Sequence, residues 1–166
     1  MSTLIVLRGN SGSGKSTVAR ALQKALGAAW IEQDYFRRTV LGESGNYSPL
    51  TVSLIQNTAA LILADGRTVI VEGMLNAGKY SEPLRALRDG HPGPSVFYAY
   101  DLTLEETLRR HATRPHKAAD FGEKQMRGWF HGWDPLEGIT EQRITAGESA
   151  EQTVARILAD LEPRRQ

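Results

Sequence analysis

The residues best suited to chemistry in this 166-residue chain lie near its N-terminus. Residues 9–17 read GNSGSGKST and fit the phosphate-binding pattern G-x-x-x-x-G-K-[ST]. Glycines allow several backbone N–H groups to point at one anion, Lys15 can reach the outer phosphates, and the Ser16 hydroxyl can bind Mg²⁺. The pattern predicts a nucleoside triphosphate site, with Ser16 as the metal ligand, formed by Gly9, Asn10, Ser11, Gly12, Ser13, Gly14, Lys15, Ser16 and Thr17.

The residues on either side of this loop support the same interpretation. An apolar run at 4–7 precedes the loop and a helix-prone run at 18–26 follows it. The unpaired N–H groups at the start of that helix would face the bound anion. A Gly- and Ser-rich turn that only joins a strand to a helix is the alternative, which the motif and its context together disfavour.

A carboxylate and two arginines follow the second predicted strand. Asp34 lies at the carboxyl end of that strand, where open α/β sheets bind ligands. We predict that Asp34 is a general base for an attacking hydroxyl, and that Arg37 and Arg38 belong to the acceptor site. Arg37, three residues after Asp34, can share its helical face and bind the acceptor or orient the carboxylate. The alternative is that Asp34 only caps the short helix after it.

A second carboxylate ends the next predicted strand. Residues 68–72 read TVIVE, so Glu72 lies at the same edge of the sheet as Asp34. We predict that Glu72 contacts either the hydration shell of Mg²⁺ or the acceptor. A solvated residue at the end of a strand is the alternative.

A basic cluster lies in the second half of the chain. Arg110, Arg114 and Lys117 fall together, and no acidic residue occurs between Glu106 and Asp120. Arginines there could present a fixed fork of donors to the outer phosphate. We therefore predict a lid at about 109–133, with Arg110 and Arg114 in the nucleotide site. A solvated charged face is the alternative.

Strands and helices alternate along the whole sequence. Residue patterns predict strands at 3–8, 28–33, 68–72, 96–100 and 140–144. They predict helices at about 15–26, 49–65, 80–88, 103–111, 120–130 and 149–161, with capping boxes at Thr103/Glu106 and Ser149/Gln152. Residues 164–166 are predicted to be a frayed tail. This alternation predicts an α/β fold with a parallel sheet.

Composition limits the possible classes of protein. The length predicts a single domain over residues 1–166. Twenty basic and 19 acidic residues give a formal charge of +1, which disfavours recruitment of nucleic acid or anionic membrane by the whole surface. The absence of cysteine excludes disulfides and Cys-ligated zinc. No apolar run approaches membrane-spanning length, and we expect a cytoplasmic protein.

Together these residues resemble the P-loop phosphotransferases related to polynucleotide 5′-kinase, chloramphenicol phosphotransferase and zeta-toxin-type kinases. The resemblance runs nearly end to end. Its most specific points are the loop at 9–17, the pair Asp34-x-x-Arg37, the sequence VEGMLN at 71–76 and the spacing Arg110-x-x-x-Arg114-x-x-Lys117. One departure is Glu72, which stands where many relatives have Asp.

The resemblance implies both a fold and site roles. The fold would be a three-layer P-loop NTPase of the kinase type, with a five-stranded parallel sheet of order 2-3-1-4-5, flanking helices and a helical lid. Asp34 would be the general base, Arg37 would support the acceptor site, and the lid arginines would contact the donor phosphates. The family uses ATP or GTP with Mg²⁺.

We therefore predict a kinase that transfers the γ-phosphate of ATP to a hydroxyl group, with Asp34, Lys15 and Arg114 as catalytic residues. A small-molecule acceptor is favoured over a polynucleotide 5′-hydroxyl because the chain is nearly neutral. A nucleotide-binding regulatory switch is the rival from another class. An acceptor base and a basic lid argue against a switch, which needs neither. The acceptor, the preference for ATP or GTP and the oligomeric state stay open at this point.

Overall fold

A computed structural model describes residues 1–44 and 48–162 of the chain. The centre of the fold is a five-stranded sheet of order β2-β3-β1-β4-β5, in which all neighbouring strands are parallel. The strands are β1 (Thr3–Arg8), β2 (Ala29–Glu32), β3 (Thr68–Gly73), β4 (Ser95–Tyr100) and β5 (Gln142–Ile144). The predicted fold class and strand order are confirmed.

Helices cover both faces of this sheet. They are α1 (Lys15–Leu26), α2 (Pro49–Ala64), α3 (Ala77–Asp89), α4 (Leu104–Ala112), α5 (Pro115–Ala118), α6 (Glu123–Trp129) and α7 (Ala150–Leu161), with a π-helical segment at Tyr35–Val40 after β2. Among the residues that the structure describes, no helix has the length and apolar character needed to cross a membrane.

Strand β1 is central because both of its faces are apolar. Leu4 and Val6 belong to a core that includes residues of α2 and α3. Ile5 and Leu7 point to the opposite face, into a core that includes residues of α1 and α7. A strand buried on both sides is typical of parallel sheets. The loop that follows the carboxyl end of β1 therefore starts from a strand that is packed on both faces.

Several predicted boundaries are wrong, and their causes are local. The predicted helix at 120–130 corresponds to the shorter α6, which begins at Glu123 because Gly122 before it is extended. The short helix α5, at Pro115–Ala118, was not predicted. Helix α3 begins at Ala77 instead of 80, since the Asp134 carboxylate accepts the Ala77 N–H at 2.8 Å and satisfies one of the free donors of its first turn. Strands β2 and β5 are shorter than predicted.

Only one of the two predicted capping boxes forms completely. At the start of α7, Ser149 and Gln152 exchange both side-chain-to-backbone bonds. At the start of α4, Thr103 accepts the Glu106 N–H at 3.2 Å, but the Glu106 carboxylate binds arginines instead of returning to the cap. The predicted frayed tail at 164–166 lies outside the described residues.

A buried ion pair joins β1 to the loop before β5. The Arg8 guanidinium donates to both carboxylate oxygens of Glu141, at 2.8 and 3.0 Å, and the two side chains are 3% and 2% exposed. Arg8 also donates to the Asp134 carbonyl oxygen at 3.0 Å. Glu141 in turn accepts the Leu136 N–H at 2.7 Å. The loop at 134–141 is thus fixed to the central strand.

This pairing predicts the effect of removing Glu141. We expect Glu141→Ala to lower the free energy of unfolding by about 3–5 kcal/mol, because the buried Arg8 charge loses its closest ion-pair partner and keeps only the Asp134 carboxylate at 3.5 Å. Denaturant unfolding measures the change. The matched control is Glu137→Ala in the same loop, where the glutamate is exposed and the expected change is within about 0.5 kcal/mol. Equal effects of the two substitutions would contradict the role of the ion pair.

Candidate active site

Glycines with positive φ shape the loop between β1 and α1. Gly14 precedes α1 at φ 104°, and Gly12 has φ 82°, a region that side chains disfavour. A Cβ on Gly12 would lie 2.6 Å from the carbonyl oxygen of Thr107, so the missing side chain also lets α4 approach the loop. The Lys15 ammonium donates to the Asn10 carbonyl at 2.9 Å, and the Ser13 hydroxyl donates to the same oxygen.

Lys15 and Glu72 are charged groups buried side by side at this point. Burial lowers the pKa of Lys15, although the nearby carboxylates of Glu72 and Asp34 act in the opposite direction. Burial likewise raises the pKa of Glu72 against the effect of Lys15. Burial therefore disfavours the charged form of both groups, and an anionic ligand beside Lys15 would favour its charged form.

The donor set beside Lys15 fits Mg²⁺. The Ser16 hydroxyl donates to Glu72 Oε2 at 3.2 Å, so two oxygen ligands of the type that this cation prefers lie together. In the described parts of the chain, no group of three or more His, Cys, Asp or Glu side chains could enclose a metal ion. Mg²⁺ is usually bound by one or two protein oxygens with substrate phosphates and water, which is what this site offers.

Asp34 lies directly after β2 and carries an ion pair with Arg37. The Arg37 guanidinium donates to Asp34 Oδ1 at 3.1 Å, and the Asp34 side chain is 60% exposed. The alternative role of Asp34 as a helix cap is wrong, because its side chain makes no capping hydrogen bond to the π-helical segment. The carboxylate is therefore oriented by Arg37 and open to a substrate.

The loop, Asp34 and the basic cluster line one cavity of about 480 Å³ at the carboxyl edge of the sheet. The predicted site residues on its wall are Ser11, Gly12, Gly14, Lys15, Ser16, Asp34, Arg37, Arg38, Glu72, Arg110 and Arg114. Further residues on the wall are Glu32, Gln33, Met74, Asn76, Lys79, Tyr80, Lys117, Phe130 and His131. The structure thus brings most of the predicted nucleotide and acceptor residues to one cavity, and it does not place Gly9, Asn10, Ser13 and Thr17 on the wall of that cavity.

Two arginines of the basic cluster contact the phosphate-binding region directly. Arg110 donates to the Ser13 carbonyl at 2.7 Å and to the Glu106 carboxylate at 2.7 Å. Arg114 donates to the Thr17 hydroxyl at 2.7 Å. Arg109, one residue before Arg110, pairs with Glu106 and is 66% exposed. Arg110 and Arg114 of the cluster therefore face the loop, whereas the neighbouring Arg109 faces solvent.

The far end of the region 109–133 also contacts the loop. The Asn10 carboxamide donates to the His131 carbonyl at 2.7 Å and accepts the His131 N–H at 3.1 Å. Sequence reasoning missed this pair, as well as Glu32, which lies opposite Glu72 in the strand register. The position of Glu32 at a strand end could have indicated it. The contact of Asn10 is to backbone, so no residue type at 131 could have revealed it.

Comparisons with known proteins agree with this geometry. A family model described as an AAA domain matches residues 4–132, and the chain belongs to this family. The shikimate kinase of Corynebacterium efficiens is 30% identical over 169 residues, covering 96% of each chain. The shikimate kinase of Corynebacterium glutamicum is 28% identical over 166 residues with the same coverage.

Solved structures share the fold. The Mycobacterium tuberculosis APS kinase CysC, in complex with AMPPNP and APS, has a TM-score of 0.71 at 18% identity, covering 98% of each chain. A gluconokinase from Sinorhizobium meliloti has a TM-score of 0.67 at 21% identity, covering 96% of this chain and 91% of its own. The chain is an ATP-dependent phosphotransferase with an alcohol group as acceptor. The resemblance is confirmed for P-loop kinases, though not for the particular members first named.

The different orientations of Arg114 and Arg109 give a test of the predicted role of Arg114. We expect Arg114→Ala to lower turnover by ~10³–10⁵, the range known for arginines that neutralise charge on a transferring phosphoryl group. Arg109→Ala is the matched control, since this exposed side chain points away from the loop, and its turnover should stay close to wild type. Initial rates at saturating ATP compare the two variants. Similar turnover in both would remove Arg114 from catalysis.

The contact between Ser16 and Glu72 gives a second test. We expect Glu72→Gln to raise the Mg²⁺ concentration needed for half-maximal rate by about 10–100-fold, as removal of a carboxylate in or next to a metal site does. A Mg²⁺ titration at fixed ATP measures this value. Glu82→Gln, on the exposed face of α3, is the control. An unchanged Mg²⁺ requirement in Glu72→Gln would assign Glu72 to another role.

Proposed function

We propose that this kinase phosphorylates a hydroxyl group of a small polyhydroxylated acceptor that carries a negative charge, with Asp34 as the general base. The observation that carries the proposal is that Asp34, paired with Arg37, lines the same cavity as the phosphate-binding loop. A cavity of about 480 Å³ lies in the range of ~300–1,000 Å³ that is typical of small-ligand sites.

The donor nucleotide would bind at the loop. The backbone N–H groups around Gly12 and Gly14, the first turn of α1 and the Lys15 ammonium would bind the β- and γ-phosphates. We infer that residues 109–133 act as a lid, with Arg110 and Arg114 exchanging their bonds to Ser13 and Thr17 for the nucleotide phosphates. Mg²⁺, at the Ser16 hydroxyl and Glu72 carboxylate, would supply neutralisation of the phosphate charge.

The acceptor would bind between Asp34 and the cations beside it. In the transfer step the acceptor oxygen forms a bond to the γ-phosphorus, and the bond from that phosphorus to the bridging oxygen of ADP breaks. The hydroxyl proton passes to the Asp34 carboxylate. Arg37 keeps that carboxylate aimed at the acceptor oxygen, which places the base within reach as the hydroxyl attacks.

The charges on the acceptor side favour an anionic compound. Arg37, Arg38 and Lys79 line the cavity, and Arg37 is paired with the Asp34 carboxylate. The carboxylates of Glu32 and Glu72 also lie on the cavity wall, and Glu72 accepts the Ser16 hydroxyl. Guanidinium groups bind carboxylates through paired hydrogen bonds. Shikimate and gluconate, the compounds named in two of the relatives, are both hydroxylated carboxylates. A hydroxy acid is therefore the class of acceptor that these residues suit best.

The test is a transfer screen with labelled ATP and the Asp34→Asn variant. The panel contains shikimate, gluconate, neutral sugars and a 5′-hydroxyl oligonucleotide. We expect a hydroxy acid to be phosphorylated, and Asp34→Asn to lower that rate by roughly 10²–10⁴ with ATP affinity unchanged, because only the proton acceptor is lost. Asp65→Asn, at the end of α2 on the opposite edge of the sheet, is the control.

Three results would contradict the proposal. Transfer to the oligonucleotide alone would identify a polynucleotide 5′-hydroxyl kinase. Slow ATP hydrolysis with no transfer to any panel member, unchanged in Asp34→Asn, would support a regulatory switch. Wild-type transfer by Asp34→Asn would remove Asp34 from the mechanism.

A further inference from the structure

The backbone beside the acceptor cavity contains a strained residue. Leu75 has φ 44°, and among the described residues it is the one non-glycine residue with a positive φ. Its side chain is completely buried in the core beneath α2 and α3. A leucine keeps this conformation only where its surroundings enforce it, and such residues concentrate at functional sites.

Two side chains bind the two polar backbone groups of Leu75. The Gln33 Oε1 atom accepts the Leu75 N–H at 3.2 Å. Arg8 Nε donates to the Leu75 carbonyl oxygen at 2.9 Å, and Arg8 is 3% exposed. Both polar groups of this residue are therefore satisfied by long side chains from the ends of β1 and β2, and neither belongs to a sheet or helix ladder.

The position of Gln33 is itself fixed. Its Nε2 donates to the Tyr80 hydroxyl at 3.0 Å, which joins it to α3. It also packs against Gly73, where an added Cβ would lie 2.5 Å from both Gln33 Cβ and Gln33 Oε1. Gly73 thus leaves the space that Gln33 needs in order to reach Leu75.

The strained residue separates two cavity-lining residues. Met74 and Asn76 both lie on the cavity wall, as do Gln33 and, one residue later, Asp34. The conformation of Leu75 sets the direction in which the chain passes from Met74 to Asn76. This stretch is consequently a wall of the cavity whose shape depends on Gln33 and Arg8.

We propose that Gln33, acting with Arg8, is a positioning residue that fixes residues 73–76 as a rigid wall of the acceptor site, and so contributes to acceptor specificity. The inference rests on the proposed function in taking this part of the cavity as the acceptor site. Gln33 does not take part in proton or phosphoryl transfer. It acts through the backbone of Leu75, and pre-organisation of this kind lowers the cost of binding.

The first measurement needs no acceptor. In Gln33→Met, which keeps the length of the side chain but removes its polar atoms, the Leu75 amide of the ligand-free protein should exchange with solvent about tenfold faster, the effect of losing one buried hydrogen bond. Gln33→Glu retains an oxygen at this position and should keep the slow exchange. Gly73→Ala should reproduce the Gln33→Met result, because the added methyl group displaces the Gln33 side chain.

The second measurement separates the acceptor from the nucleotide. With the acceptor found in the transfer screen, Gln33→Met should raise the KM for that acceptor about tenfold and leave the affinity for AMPPNP within about twofold, since displacement of a wall by a fraction of an ångström weakens only the ligand that contacts it. A thermal melt of each variant confirms that it is folded under the assay conditions.

These measurements test the role of Gln33 independently of the proposed function. Unchanged Leu75 exchange in both Gln33→Met and Gly73→Ala would overturn it, whatever the acceptor is. Faster exchange with equal losses for AMPPNP and acceptor would also overturn it, because Gln33 would then support the whole site. If no panel member is phosphorylated, the proposed function fails, while faster Leu75 exchange at unchanged AMPPNP affinity would still support the rigid wall.

Discussion

Burial of charged side chains at the carboxyl ends of β1 and β3 is the constraint on which the rest of this structure depends. Arg8, Lys15 and Glu72 are each less than a tenth exposed. A buried charge is costly unless it is paired and hydrogen-bonded, so each of these residues dictates what must surround it. The loop after β1, the start of α1 and the segment before β5 all supply such partners.

The pleat of the sheet distributes these charges to two faces. Glu72 lies two residues after Ile70 and therefore on the same face of the sheet, which α1 covers. There it lies beside Lys15 and Ser16. Arg8 lies two residues after Val6 and therefore on the face that α2 and α3 cover, where it binds Leu75 and Glu141. The carboxyl edge of the sheet therefore has a side with Lys15, Ser16 and Glu72, and a side with Arg8 and Leu75 beside which we place the acceptor.

The sequence allowed the phosphate side to be predicted in detail because its contacts are local. Residues 9–17 form a contiguous motif, and the apolar runs of β1 and β3 identify the central strands.

The part of the cavity that we propose for the acceptor could be predicted only in part. Asp34 and Arg37 lie three residues apart, and the spacing indicated their pairing. The bond between Arg8 and Glu141 spans 133 residues, and nothing in the local pattern at either position reveals it. Leu75 likewise has a positive φ, which leucine disfavours. The conformational preference of the residue therefore predicts a different backbone conformation from the one that the tertiary contacts impose.

The loop at 9–17 is shaped by contacts that are local in sequence, and the wall at 73–76 by contacts that are distant in sequence. This difference affects how each part of the cavity can vary among related proteins. The loop at 9–17 has little room for change at Gly9 and Gly12, because an added Cβ would lie within 3.0 Å of neighbouring atoms there. The wall that we propose for the acceptor is bound by side chains distant in sequence, so changes at the ends of β1 or β2, or in the loop before β5, would alter this wall without a direct contact to the loop at 9–17. Kinases named for different acceptors share this fold at TM-scores of 0.67 and 0.71 and at 21% and 18% identity. A fixed phosphate site beside a wall positioned by a few long-range contacts would allow a fold to keep one reaction while its acceptor changes.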